Sequence, residues 1–207
     1  MINGGFYNML RPKKLAILLG IILIAGLLIS LPIMTHHRSA AAKNITTTKK
    51  VTKPSVMRSP INWHKSSEKV AYPDVSKYPH MWIHVSLKKQ RLYLMTDKRV
   101  LYTMYVSTGR TTKNTKTPRG TYHVQAERGK YFYSASVNEG AYYWVSWLNH
   151  GEYLFHSTPV DTQGHFIKSD AADLGKRPSS HGCVHLSIAD SKWVYKNIRY
   201  GTKVVID

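Results

Sequence analysis

Between Met81 and Leu87 the apolar residues Met81, Ile83, Val85 and Leu87 alternate with Trp82, His84 and Ser86. The same two-residue period returns at Val100, Tyr102, Met104 and Val106, set against Leu101, Thr103 and Tyr105. Successive side chains of a strand point to opposite faces, so this alternation predicts half-buried strands. Thr121–Val124, Ala141–Trp147, Tyr153–His156 and Lys203–Ile206 are rich in β-branched and aromatic residues and are also expected to be strands. Thr96-Asp97-Lys98, Gly109, Pro118, Gly120, Asn149 and Gly151 punctuate them as turns. One helix stands out against this background. Ser187 opens a Ser-Ile-Ala-Asp start resembling a capping box; Ile188, Trp193, Val194 and Ile198 can share a side; Gly201 follows the end. A shorter helix is expected at Ser169–Leu174, closed by Gly175. Residues 80–207 therefore read as one mainly β domain with one or two helices, long enough for a single core.

The pattern is different upstream. Arg11, Lys13 and Lys14 precede an uncharged run whose apolar heart is Leu15–Leu31. As a helix rising 1.5 Å per residue it spans roughly 26 Å, close to the thickness of a bilayer core. Residues 1–34 are expected to form a membrane anchor that leaves the domain outside the cytoplasm. The alternative is a cleaved signal peptide, with Ala40-Ala41-Ala42 as the cleavage region and the domain secreted to the wall. Positive residues flank the run on both sides, so charge bias does not orient it. Residues 35–79 are poor in large apolar side chains and interrupted by Pro54, Pro60, Pro73 and Pro79. They are expected to form a basic, extended low-complexity linker; a small helical subdomain is the alternative.

Charge narrows the partners. Lys and Arg number 30 against 11 Asp and Glu, a formal net charge of +19. The excess is +3 over residues 1–34, +7 over 35–79 and +9 over 80–207. Such a field concentrates nucleic acid, anionic lipid or anionic wall polymers. The apolar leader argues against access to nucleic acid and favours the envelope.

The single cysteine, Cys183, excludes an intrachain disulfide and leaves a free thiol. It lies in Ser180-His181-Gly182-Cys183-Val184-His185-Leu186. A thiol attacks as its thiolate, which needs a base within reach and a group that orients the base. Gly182 permits a close backbone approach, and amides at such a turn can hold an oxyanion. Upstream, Leu154-Phe155-His156-Ser157 places His156 at the end of an apolar run, where loops build sites. A metal reading competes. His181, Cys183 and His185 would share one strand face, and His156 or His165 could complete a zinc site. The spacing is neither C-x-x-C nor H-E-x-x-H, so the thiol chemistry is preferred.

Ser180-His181-Gly182-Cys183, preceded by His156-Ser157, resembles the L,D-transpeptidase (YkuD-type) family. Thr117-Pro118-Arg119-Gly120-Thr121-Tyr122 is similar to a T-P-x-G-x-[FY] segment of that family. The resemblance covers about residues 80–207. It implies a β-sandwich-like catalytic domain with Cys183 as nucleophile, His156 as general base and Ser157 holding the imidazole of His156 through its carbonyl. It also implies that His181 and Gly182 shape the turn and help the Cys183 amide form an oxyanion hole. Ser180 and His185 are expected to contact substrate. The reaction implied is peptidoglycan cross-linking between stem peptides, without metal or organic cofactor. Two departures stand out. His185 occupies a position where the family usually has Arg or Asn. The interval from His156 to Cys183 is long, and its insertion, Asp161–Ser179, is expected to be a lid or substrate-side loop carrying a rival base, His165. A non-catalytic wall-binding module, using aromatics between Tyr131 and Trp147, is the competing class.

Overall fold

The computed structural model describes residues 55–207. The expected membrane helix and the first part of the linker lie outside them. No helix among the described residues is long and apolar enough to cross a membrane.

Nine strands dominate: β1 (Trp82–Ser86), β2 (Arg91–Thr96), β3 (Arg99–Ser107), β4 (Gly120–His123), β5 (Arg128–Ser134), β6 (Glu139–Leu148), β7 (Tyr153–Ser157), β8 (Val184–Leu186) and β9 (Lys203–Ile206). The helices are α1 (Lys168–Asp173) and α2 (Ile188–Asn197). The strands form one sheet in the order β4-β9-β1-β2-β3-β8-β7-β6-β5. The β-sandwich expectation is corrected in this respect: the layers are arms of a single curled sheet. Its ends nearly meet, because the chain after β4 returns to β6, with Gln125 N–H donating to Ser146 O and Ser146 N–H to Glu127 O at 2.8 and 2.9 Å.

The alternation seen in the sequence is what allows the curl. Ile83 and Val85 of β1, Leu92 and Leu94 of β2, and Tyr102, Met104 and Val106 of β3 turn one face of their strands into the core. Val145, Trp147, Phe155, Val184 and Leu186 come from the other arm, Val194 from α2 and Ile198 from the residue that caps it. Burying this apolar face, at about 25 cal/mol per Å², is the main drive for closing the sheet. Helix α2 begins as expected, with Ser187 Oγ accepting the Asp190 N–H at 3.0 Å. Gly175 follows α1 at φ 72, the left-handed conformation that glycine adopts without steric cost.

Residues 55–79 differ from the expected linker. They lie along the domain in irregular conformation with one 3-10 turn, Val75–Lys77, and form neither a free spacer nor a helical subdomain. Their few large side chains are the reason. Tyr72 stacks on Trp193 with ring centroids 5.1 Å apart, and Trp63 packs against Phe166 at 4.9 Å. The fully buried Asp190 accepts hydrogen bonds from the Ser67 amide, the Ser67 hydroxyl and the Tyr72 hydroxyl. Asp190 does not reach back to complete the capping box; its carboxylate faces inward and holds this segment instead. Glu68 accepts the Thr103 N–H at 2.8 Å at the flank of β3.

Candidate active site

The site grows from the junction of β7 and β8. These strands run parallel, with Phe155 opposite Val184 and His156 opposite His185. Period-two geometry then places Leu154, His156, Cys183 and His185 on one face. Both Cys183 and His156 line a cavity of about 470 Å³, together with Glu139, Glu152, His181 and His185. The cavity's outer wall is Phe132–Val137 and Gly140, from the β5–β6 hairpin. The aromatic stretch Tyr131–Trp147 is thus two strands and a turn. Trp147 is in the core, whereas Tyr131 and Tyr133 are exposed.

Cys183 follows a tightly braced turn. Ser180 Oγ accepts the Gly182 N–H at 3.0 Å and donates to the Cys183 carbonyl at 2.6 Å. Gly182 has φ +126, and a Cβ there would sit 2.9 Å from the Tyr153 ring. From the adjoining loop, Thr117 Oγ1 accepts the Gly109 N–H and donates to the Gly182 carbonyl, both at 2.8 Å. A Cβ on Gly109 would fall 2.9 Å from Gly182 Cα and closer still to Thr115 and Thr117 backbone atoms. The Thr-Pro-x-Gly segment therefore buttresses the turn, a positioning role that its sequence gave no direct sign of.

His156 is buried, and its Nδ1 lies 2.7 Å from the Ser157 carbonyl. A carbonyl only accepts, so Nδ1 carries the hydrogen and Nε2 of the neutral ring is a free acceptor. Ser157 Oγ accepts the Tyr142 N–H and donates to Thr158 O, which fixes the strand end under the ring. Burial lowers the pKa of His156 to about 4, partly opposed by the Ser157 bond. Burial also pushes the Cys183 thiol up to about 12; the Leu154 N–H donated to Sγ at 3.3 Å opposes this, while Glu139 and Glu152 reinforce it. The pair thus rests as a neutral thiol and a neutral imidazole. Sγ is engaged by the Leu154 amide and the Glu152 carbonyl rather than by His156.

The other expected residues separate by position. His181 lines the cavity, receiving Arg110 Nη1 at 3.1 Å on Nε2 and lying 3.6 Å from Glu139 through Nδ1. His185 also lines it, its ring 4.8 Å from that of His156, and its buried Nδ1 has no hydrogen-bond partner. Burial, then His156, His181 and Arg110, hold the pKa of His185 well below the usual imidazole value. Ser180 is buried within the turn and does not reach the cavity wall. The Gly182 amide is engaged by Ser180, which leaves the Cys183 amide as the turn's candidate oxyanion donor. His165 is exposed and faces Asp161 at 3.6 Å, outside the cavity. No residue of the insertion Asp161–Ser179 lines this cavity; the insertion packs Phe166 against Trp63 and Tyr142. Among the described residues no three His, Cys, Asp or Glu are arranged to hold a metal ion. Glu139 and Glu152 were not singled out by the sequence, because no motif surrounds them.

A curled β domain with a thiol and a carbonyl-oriented imidazole on one cavity wall is the frame of a cysteine–histidine site. The model of the YkuD L,D-transpeptidase catalytic domain matches residues 80–206, and the chain belongs to that family. It is 47% identical over 165 residues to the Bacillus subtilis (strain 168) protein named "Putative L,D-transpeptidase YciB", covering 79% of this chain and 81% of that one. Among solved structures, an L,D-transpeptidase from Mycobacterium smegmatis superposes with a TM-score of 0.51 at 20% identity, over 62% of this chain and 58% of that one. The L,D-transpeptidase LdtMt1 in complex with imipenem gives 0.51 at 19% identity, over 62% and 59%. These two likenesses show the shared fold. The chain spans about three-fifths of those solved chains.

Proposed function

We propose that this protein is a peptidoglycan L,D-transpeptidase that forms 3→3 cross-links through a Cys183 thioester. The observation that supports it best is the shared wall: Cys183 and His156 on one face of adjacent strands, with Nδ1 of His156 held by the Ser157 carbonyl so that Nε2 can take a proton. Sγ attacks the amide between the third residue of a donor stem and its terminal D-alanine as Nε2 takes the thiol proton. The Cys183 amide steadies the oxyanion. His156 returns the proton to the leaving amine, D-alanine departs, and the acyl group stays on sulfur. An amine of a second stem then attacks, the C–S bond breaks, and His156 carries a proton from nitrogen to sulfur. One hard acyl transfer becomes two easier ones. The run Leu15–Leu31 tethers the domain to the outer face of the membrane, and the basic charge draws it to anionic wall polymers.

The test is incubation of the full chain with purified muropeptides, read by mass spectrometry. Stem dimers with loss of D-alanine are expected. Shortened stems alone would reassign the chain as an L,D-carboxypeptidase, and wall-protein adducts alone as an anchoring enzyme. Intact mass after exposure to a carbapenem should rise by one adduct mapping to Cys183 and absent from Cys183→Ala. Wall chemistry unchanged in Cys183→Ala would leave only a binding module.

A further inference from the structure

The chain carries a formal charge of +19, yet the cavity around Cys183 has two carboxylates, Glu139 and Glu152, and no Lys or Arg on its wall. Arg110 approaches only from behind His181, to which it donates at 3.1 Å. A second cavity is bordered by Lys88, Arg110, Lys116 and Arg119. The cavity that reaches sulfur is thus lined by carboxylates without a lysine or arginine, which suits a cation.

Glu139 is the group built for one. It opens β6 and is fixed by its neighbour, Gly140, which exchanges two backbone hydrogen bonds with Val160 at 2.9 and 2.8 Å. Its side chain is 19% exposed. Arg110 can only donate, so its 3.1 Å contact makes Nε2 of His181 the acceptor and places the ring hydrogen on Nδ1, toward Glu139. At 3.6 Å that contact orients the carboxylate without forming a hydrogen bond. Neither Glu139 oxygen has a hydrogen-bond partner among the described residues, and neither is sealed from solvent. Burial and Asp170 raise its pKa while His181 and Arg110 oppose them, so the protein's own cations do not fully compensate its charge.

We propose that Glu139 anchors a subsite for a primary ammonium group, the amine of the acceptor stem, at the mouth of the Cys183 cavity. This rests on the transfer reaction proposed above, and the proton balance of that reaction supports it. The amine arrives as R–NH3+ and leaves as an amide N–H, so nitrogen loses two protons. One reaches sulfur through His156 as the C–S bond breaks; the other is released to water. Nε2 of His156 carries only one, and Glu139 is the carboxylate placed to take the second toward solvent.

The experiment uses the full chain and Glu139→Gln, with Asp161→Asn as an exposed-acid control. Saturation-transfer NMR follows 1,5-diaminopentane and its uncharged counterpart 1,5-pentanediol. The diamine should bind saturably to the wild type and to Asp161→Asn, the diol should not, and Glu139→Gln should weaken the diamine at least tenfold. Glu139→Gln should still form the carbapenem adduct, showing an intact site. In the transfer assay it should raise the amine concentration for half-maximal cross-linking at least tenfold. Equal diamine binding by wild type and Glu139→Gln overturns the subsite. If the wild type releases no D-alanine, the transfer reaction falls, and the diamine titration alone decides whether Glu139 holds an ammonium.

Discussion

Thr117→Val tests whether the nucleophile turn is held from the Thr-Pro-x-Gly loop. Valine keeps the shape of threonine and removes one hydroxyl, at a site only 3% exposed. The Gly109 N–H then loses its acceptor and the Gly182 carbonyl its donor, each a 2.8 Å bond. An orphaned buried donor costs about 1–3 kcal/mol, and the carbonyl adds less because its second lone pair can be satisfied elsewhere. The sum is about 2–4 kcal/mol, and in a domain of this size each kcal/mol moves Tm by about 2–4 °C, so a fall of about 5–15 °C is expected. The turn also sets where Sγ stands, and a displacement near 1 Å can cost about 100-fold in rate. Carbapenem acylation of Cys183, followed by intact mass against time, should slow by about 10- to 100-fold. Thr117→Ser keeps the hydroxyl and should stay near wild type in both measurements. A Thr117→Val protein with the wild-type Tm and acylation rate would refute the buttress.

Further outcomes follow from the same geometry. Asp190→Ala leaves two buried donors of Ser67 and the half-buried Tyr72 hydroxyl without their carboxylate, at a cost of about 3–5 kcal/mol. Trypsin should then cut at Lys65 or Lys69 before the core, whereas the wild type should resist there. His165→Ala should leave carbapenem acylation within twofold of wild type, since His165 faces Asp161 outside the cavity; a large loss would restore it as the base. His156 and His185 are both held neutral by burial, so the unfolded chain binds more protons than the folded one below its imidazole pKa near 6.5. Stability should fall as pH drops from about 6.5 toward 4, by up to about 1.4 kcal/mol per pH unit for each ring. The raised carboxyls of Asp190, Asp170 and Glu139 act in the opposite sense, losing stability as pH rises through their folded values. In urea denaturation, His185→Gln should flatten the dependence between pH 6.5 and 4; an unchanged slope would mean that His185 is charged in the folded protein.

Six of the nine strands were legible because their alternation or β-rich composition is local. β2 escaped as a separate element: Tyr93 sits between Leu92 and Leu94 and Met95 follows them, so apolar residues on both faces hide its period. β8 is three residues long and buried throughout, too short to show a period. β5 is largely exposed and is defined by its pairing with β6. The thiol, its histidine and the carbonyl that orients it were readable because they lie within short motifs. Asp190 shows the limit. Its position beside a helix cap was visible, but its carboxylate's partners, Ser67 and Tyr72, lie more than a hundred residues away in a segment whose composition suggested a spacer. Glu139 is invisible for the same reason, since its significance depends on a hairpin folding over a cysteine 44 residues later.

The resting protonation state constrains how such a site can work. Burial, reinforced by Glu139 and Glu152 and opposed by the Leu154 amide, keeps Cys183 from resting as a thiolate, so in the proposed reaction the resting thiol has little intrinsic nucleophilicity at neutral pH. In the proposed reaction, proton transfer to Nε2 would accompany attack, because separating the charges first would place both in a buried wall where each is disfavoured. A substrate changes that balance in two ways. It fills the cavity and displaces water, which strengthens the attraction between the incipient thiolate and imidazolium. An ammonium beside Glu139 also cancels part of the negative field that holds the thiol up. In the proposed reaction, reactivity would therefore rise when substrate fills the cavity, which suits a protein with a single unpaired thiol.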